Sequence, residues 1–389
     1  MRSILIAHPS ADLYGSDRVM LETIEALQDR GWQVTVTLPA PGPLVSEIER
    51  RGGRVSFCPA PVLRKSALRP LGLLKMVGEA LRSLPPSIRL IRSSRADVIY
   101  VSTLTIPMWL PLGRLLRRPV VCHVHESERT ANKWVRRALA FPLLFANRLL
   151  VNSEFSRGVL LDSFSRLARK SEVVYNGVPG PATVSAPRET VEQPLRMLFI
   201  GRLAPRKGPQ VGVELVQTLA DRGIDAQLDL VGSVFPGYEW FEAELRADVA
   251  AHDLDHRVNF HGFSDDVWSH LAAADVVLVP SQGDEPFGNT AVEAVLAARP
   301  VVVSSSSGLD EAVAGYASAQ RVAAEDLAGW TDAISAVLAD WPAFRAKALA
   351  DVALAEERHA PELYRQRVAD RLAELAERGS KRRLKRRTA

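Results

Sequence analysis

Apolar residues along this chain fall into short runs separated by amphipathic stretches, the pattern of strands alternating with helices. SILIAH at 3–8 opens it, followed by QVTVTLP (33–39), ADVIYVS (96–102), PVVCHVH (119–125) and RLLVNS (148–153). Runs of this length that are apolar nearly throughout predict strands covered on both faces of a parallel sheet. Between the first two runs, residues 16–30 predict a helix, and Gly31 supplies its stop signal. The second half repeats the pattern in MLFIG (197–201), AQLDLVG (226–232), RVNFHG (257–262), DVVLVP (275–280) and RPVVVSS (299–305). The alternation predicts an α/β chain of two Rossmann-like, doubly wound parallel-sheet domains, 1–184 and 195–358. Between them SAPRETVEQP (185–194), rich in Pro and polar residues, reads as a linker. The amphipathic stretch 361–379 predicts a last helix within a C-terminal segment 359–379, and the basic residues 380–389 beyond Gly379 a disordered tail.

Length and composition agree with that division. The 389 residues suffice for two cores, and 47% hydrophobic with 24% charged residues is ordinary for a globular protein. Cys58 and Cys122 are too few for a disulfide framework and lack metal-ligand spacing, so a reducing, cytoplasmic setting is expected. MRSILIAHPS is too short an apolar run for a signal peptide, and no stretch predicts a transmembrane helix. The net charge of +4 conceals a polarity: residues 1–190 are basic, residues 191–378 acidic, and KRRLKRR (381–387) basic again. Two halves so different face different surroundings, the basic one suited to a phosphate-bearing or membrane-bound partner.

Candidate chemistry concentrates in two loops of the second half. DEPFGNTAVE (284–293) follows a short strand and leads into a helix, placing Glu285 in the loop and Glu293 in the first helical turns. Free N–H groups at the helix start, around Asn289 and Thr290 beyond the Pro286-Phe287-Gly288 loop, suit a phosphate. The Glu293 carboxylate can accept from two neighbouring hydroxyls, as on a ribose. In GRLAPRKG (201–208), Arg202 and Lys207 lie on a loop at the carboxyl end of a strand, where open α/β sheets bind ligands. A guanidinium fork and an ammonium point charge together match a diphosphate. Each cluster alone could be solvated charge; their occurrence in loops of the same half favours a phosphorylated-sugar site.

GRLAPRKG, VNFHGF (258–263) and the Glu285-x7-Glu293 loop resemble the retaining nucleotide-sugar glycosyltransferases of family 4, which have the GT-B fold. YGSDRVMLE (14–22), HVHE (123–126), VNSEFSR (151–157) and VYNGVP (174–179) are similar to that family in the same order, so the resemblance covers nearly the whole chain. It departs where the family has a Gly-Gly pair: here the loop reads Gly15-Ser16-Asp17-Arg18. The resemblance implies two domains facing across a cleft, with the C-terminal helix returning to the first, acceptor-binding domain. The second domain is implied to bind the donor, with Gly232, Phe263 and Ser264 building the base pocket from backbone. Gly15 and Ser16 would approach the distal phosphate, and His125 would face the transferred sugar as a catalytic group alongside Glu285, Arg202 and Lys207. His123 fits a buried core histidine better. His123 and His125 point the same way on a strand and no third ligand is near, so no metal and no cofactor are expected.

Two stretches of the first half, 64–95 and 133–148, interleave Lys and Arg with Leu, Ile, Met, Trp134 and Phe141. They read either as ordinary helices covering the sheet or as surfaces for peripheral contact with an anionic membrane on the cytoplasmic side. Nucleic acid is not expected, because no binding motif or stacking platform accompanies the charge. The sequence therefore leads to a hexosyltransferase moving sugar from a nucleoside-diphosphate sugar to a glycan or lipid-linked acceptor in envelope polysaccharide or glycolipid synthesis. A nucleotide-sugar epimerase on the same fold and a non-catalytic membrane scaffold are the rival readings.

Overall fold

Seven strands form the first sheet: β1 (Ser3–Ala7), β2 (Gln33–Leu38), β3 (Arg54–Phe57), β4 (Val98–Val101), β5 (Val120–Val124), β6 (Arg148–Val151) and β7 (Ser171–Val173). They come from a computed structural model that describes residues 1–12, 15–63, 70–127, 129–235 and 237–387, with side chains left aside at 16, 70, 71, 73 and 382–387. The order is β3-β2-β1-β4-β5-β6-β7, every pair parallel. Alternate side chains serve two cores, as the period of a strand requires. Ile4, Ile6, Val34, Val36, Val98 and Tyr100 face one layer of helices. Leu5, Ala7, Ile99, Val101, Val120 and Cys122 face the other.

The first layer holds helices Gly15–Gln28 and Leu44–Arg50 together with the C-terminal helix Pro361–Arg387. Tyr364, Val368, Leu372 and Leu375 recur on one side of that last helix and are buried in the same core as Val19, Met20 and Ile24. Ion pairs frame the seam, Arg30 to Asp370 at 2.6 Å and Arg371 to Glu172 at 2.8 Å. The first compact unit accordingly comprises the chain up to Gly177 and again from Pro361. The C-terminal helix does not stop at Gly379 but runs to Arg387. Gly379 is a close-approach residue rather than a stop: a Cβ there would lie 2.6 Å from Pro119 Cγ. Lys and Arg are good helix formers, so the basic run continues the helix where disorder was expected.

The second unit, Val178–Ala360, carries β8 (Leu195–Ile200), β9 (Ala226–Val231), β10 (Val258–Gly262), β11 (Val276–Val279), β12 (Val301–Ser304) and β13 (Ala319–Val322). Their order is β10-β9-β8-β11-β12-β13, all parallel. Residues 185–194 are not a free connection but part of this unit. The Arg188 guanidinium bonds buried Asp275 at 2.8 Å, Trp341 Nε1 donates to Arg188 O at 3.0 Å, and Arg299 to Ser185 O at 2.9 Å. The division falls at Gly177/Val178 because those backbone carbonyls accept from side chains of the unit, which composition cannot reveal. Strands β3, β7 and β13 escape the sequence pattern because they are short, half-buried edge strands.

Candidate functional site

In the second unit the strand order reverses between β8 and β11, and the loops at their carboxyl ends form the crevice where such sheets hold ligands. After β8 the chain makes a short 3-10 turn, Pro205–Lys207, closed by Gly208 in the left-handed region at φ 75°. A Cβ on Gly208 would meet Pro280 O at 1.9 Å, so only glycine lets this loop press against the one after β11. Gln282 N donates to Arg206 O at 2.8 Å and locks the two loops together.

That contact unites the two charged clusters of the sequence. Glu285, 5% exposed, receives Arg206 Nη1 at 2.7 Å, Ser281 Oγ at 3.0 Å and Lys207 Nζ at 2.9 Å from each carboxylate oxygen. Its backbone is fixed as well, its N–H donating to Ser307 Oγ at 2.8 Å and its carbonyl accepting from Gly308 N at 2.8 Å. Burial acts to raise the Glu285 pKa, but the charges of Lys207 and Arg206 outweigh it and hold the carboxyl below its ordinary value. Arg206 and Ser281 were missed by the sequence reading, although Arg206 adjoins Lys207 and shares its charge. Arg202 lies with Cζ 3.2 Å from the centroid of the Phe235 ring, a cation–π contact with the loop after β9.

The other candidates of this unit surround that cluster. Gly232, at φ 143°, admits no side chain, since a Cβ would lie 1.8 Å from Gly201 O. Gly288 caps helix Asn289–Leu296, which begins with half-buried Asn289 and Thr290 and carries half-buried Glu293 one turn on. Phe287 is a core residue: its ring is 2% exposed and packs edge-on against His359, with centroids 5.6 Å apart. Phe263 is exposed at the end of β10, and neighbouring Ser264 donates to Asp266 O at 3.3 Å.

In the first unit the carboxyl ends of β1, β4 and β5 gather histidines. His8 is buried between Ser102 Oγ, 2.6 Å from Nδ1, and Asp17 Oδ1, 2.8 Å from Nε2. Asp17 stands in the first turn of helix Gly15–Gln28, which Gly15 begins; the Ser16 side chain lies outside the described residues. His125, two residues beyond buried His123, is half-buried, and the ring centroids of the two are 3.9 Å apart. Burial, reinforced by His8 and opposed by Asp17, lowers the His125 pKa to about 4, so the ring is neutral near pH 7. Glu126 is turned inward: Thr103 Oγ1 donates to it, as does the backbone N–H of His125 at 3.1 Å. His8, Asp17 and Ser102 carried no sequence signal beyond ending a strand or starting a helix. Among the described residues no group of three or more His, Cys, Asp or Glu is placed to hold a metal ion.

Comparison with known proteins accounts for both halves. The model of "Glycosyltransferase Family 4" matches residues 14–179 and that of "Glycosyl transferases group 1" residues 194–340. The chain is 28% identical over 322 residues to 2-deoxystreptamine glucosyltransferase of Streptomyces kanamyceticus, covering 76% of this chain and 81% of that protein. It is 30% identical over 181 residues to the amylovoran biosynthesis glycosyltransferase AmsK of Erwinia amylovora, covering 44% of this chain but only 43% of that relative. Among solved structures, Anabaena Alr3699/HepE in complex with UDP and glucose superposes with a TM-score of 0.78 at 22% identity, over 96% of this chain and 100% of that one. With its two halves matched in order and its fold shared along nearly its whole length, the chain belongs to glycosyltransferase family 4 and is a glycosyltransferase of GT-B fold.

Proposed function

We propose that the chain is a retaining hexosyltransferase that moves a sugar from a nucleoside-diphosphate sugar to a hydroxyl of a glycan or lipid-linked acceptor. The observation that carries this reading is the Arg206–Glu285–Lys207 cluster beside Arg202, at the carboxyl ends of β8 and β11. HepE, a structural neighbour, is described in complex with UDP-glucose, which supports a nucleotide-sugar donor, and AmsK is named a glycosyltransferase of amylovoran biosynthesis, which supports a biosynthetic transfer.

Chemically, Arg202 and Lys207 bind the diphosphate and stabilise the charge that grows on it as the glycosidic bond breaks. Glu293 accepts from the ribose hydroxyls. Glu285, already ionised and fixed at backbone and side chain, holds hydroxyls of the sugar rather than attacking it. The acceptor oxygen bonds to the anomeric carbon on the face that the diphosphate leaves, which retains configuration, and its proton passes to a departing phosphate oxygen. A neutral His125 hydrogen-bonds the sugar without adding a cation. Neither a metal nor a cofactor enters this scheme. A thermal-shift panel of nucleotide sugars tests the donor class, and the anomeric configuration of the product, read by NMR, tests retention. No stabilisation by any nucleoside diphosphate or its sugars would defeat the reading.

Peripheral membrane contact on the cytoplasmic side belongs to the same proposal. Leu74, Val77 and Leu81 on helix Pro70–Ser93 are exposed, as are Trp134, Phe141 and Phe145. Lys133 and Arg137 flank the Trp134 ring at 5.6 and 5.8 Å. Positions 64–69 of the first basic stretch lie outside the described residues, and no described helix is long and apolar enough to cross a membrane. Flotation with anionic liposomes at low and high salt tests the contact, which salt should weaken. Protein left in the soluble fraction at low salt would refute it.

A further inference from the structure

His123 is a costly residue for the core that holds it. Its imidazole is fully buried, its Nδ1 lies 2.6 Å from Tyr100 Oη, and its Nε2 has no hydrogen-bond partner. A buried nitrogen with an unmade bond bears a desolvation penalty that an apolar side chain would avoid. What the ring does have is two neighbouring rings. The His125 centroid lies 3.9 Å away at 42°, and that of Tyr364, on the C-terminal helix, 6.1 Å away at 18°. Tyr364 is anchored in turn, its Oη 2.6 Å from Thr23 Oγ1, and Thr23, Tyr100 and Tyr364 are all buried.

Three rings thus form a column on one face of the sheet, from Tyr364 on the C-terminal helix through His123 on β5 to His125. Strand geometry requires the alignment, because residues 123 and 125 project to the same side. His125 is the half-buried end, so it is the ring of the column that a ligand can reach. It cannot tilt towards His123 without displacing a ring that stacks on Tyr364 and is pinned at Nδ1 by Tyr100. Close-packed interiors transmit such constraints rather than absorbing them.

We propose that Tyr364 and His123 are positioning residues for the transfer reaction, holding the His125 imidazole at the depth and angle at which it meets the sugar. The C-terminal helix then contributes to the site as well as to stability. This rests on the reading of His125 given above, and the test separates the two. The full chain is labelled with 15N-histidine, and the His125 ring signals, assigned by their loss in His125→Gln, are followed in Tyr364→Phe, Tyr364→Leu and Tyr100→Phe. Turnover is read as UDP released from UDP-glucose.

Tyr364→Phe keeps the ring, so signals and kcat should stay within about twofold of wild type. Tyr364→Leu should shift or broaden the His125 signals and lower kcat about tenfold, short of the roughly hundredfold that a full misplacement at the site can cost, with KM for UDP-glucose unchanged. Tyr100→Phe, which removes only the pinning hydroxyl, should move both readouts in the same direction, and it decides the matter if the leucine variant fails to fold. A merely structural role would lower melting temperature and leave the kcat-to-KM split and the His125 signals untouched. Wild-type signals and kcat in folded Tyr364→Leu or Tyr100→Phe would overturn the inference. A wild-type rate in His125→Ala would sink the site reading and this inference with it. A slow His125→Ala beside unaffected Tyr364→Leu and Tyr100→Phe would sink this inference alone.

Discussion

Replacing Glu285 with glutamine isolates the charge at the centre of the loop cluster. The substitution keeps volume, and the amide oxygen can still accept from Ser281, but Lys207 and Arg206 lose their counter-charge. Although Glu285 is buried, Arg206 is about half exposed and Lys207 about one-third, so solvent screens both pairs. The contact that Glu285 withholds from a bound diphosphate is therefore worth about 1 kcal/mol. Released to the phosphates, that amount is about fivefold in affinity. UDP should bind Glu285→Gln about fivefold tighter than wild type. Turnover should nevertheless fall at least tenfold, because a neutral amide holds the sugar hydroxyls less well as charge develops. Isothermal titration with UDP at pH 7, with GDP and dTDP in parallel, reads the first effect, and product release the second. The pH dependence follows from the depressed carboxyl: stabilisation by Glu285 is present above the ordinary value of 4.5 and is lost as pH falls through the lower folded value. The stability difference between the two proteins should accordingly shrink below that range. Weaker UDP binding in Glu285→Gln, the direction expected of Lys207→Ala, would refute the competition between Glu285 and phosphate.

Arg202→Ala should cut turnover at least tenfold, about 1.4 kcal/mol at the transition state, and weaken donor binding; steady-state kinetics check both. Glu293→Gln should act chiefly on nucleotide affinity through the ribose, and unchanged binding of the nucleoside diphosphate would remove that role. Gly208→Ala places a methyl 1.9 Å from Pro280 O at a positive φ, so chemical denaturation should show a loss of at least about 2 kcal/mol. His359 is buried with neither ring nitrogen partnered, and burial, then Arg358, lowers its pKa from 6.5 to about 4. Its contribution is present above 6.5 and is lost as pH falls toward 4, at most roughly 3 kcal/mol. Denaturation across that range should show wild type losing stability that His359→Phe keeps.

The sequence by itself determined the parallel α/β halves, because the buried strands announce themselves as apolar runs and need no tertiary context to be seen. It also determined which loops carry charge: Arg202, Lys207, Glu285 and Glu293 stand at strand ends and helix starts that local signals define. The edge strands β3, β7 and β13 were illegible, since half-buried residues leave no continuous apolar run. The Pro-rich stretch 185–194 misled for a related reason, its backbone carbonyls serving as acceptors for Trp341, Arg345 and Arg299 far along the chain. Gly379 looked like a helix stop because sequence reports glycine's freedom and not the proline packed against it. The pairing of Lys207 and Arg206 with Glu285 spans 79 positions at its longest and exists only because Gly208 lets two loops touch. The His8–Asp17–Ser102 chain and the column of Tyr364, His123 and His125 likewise join segments that periodicity cannot relate. Local pattern fixes what each segment is, because burial and backbone geometry act residue by residue. Which charges and rings meet is decided by the parallel crossovers and the returning helix, which bring distant residues within the few ångströms over which hydrogen bonds and ring contacts operate.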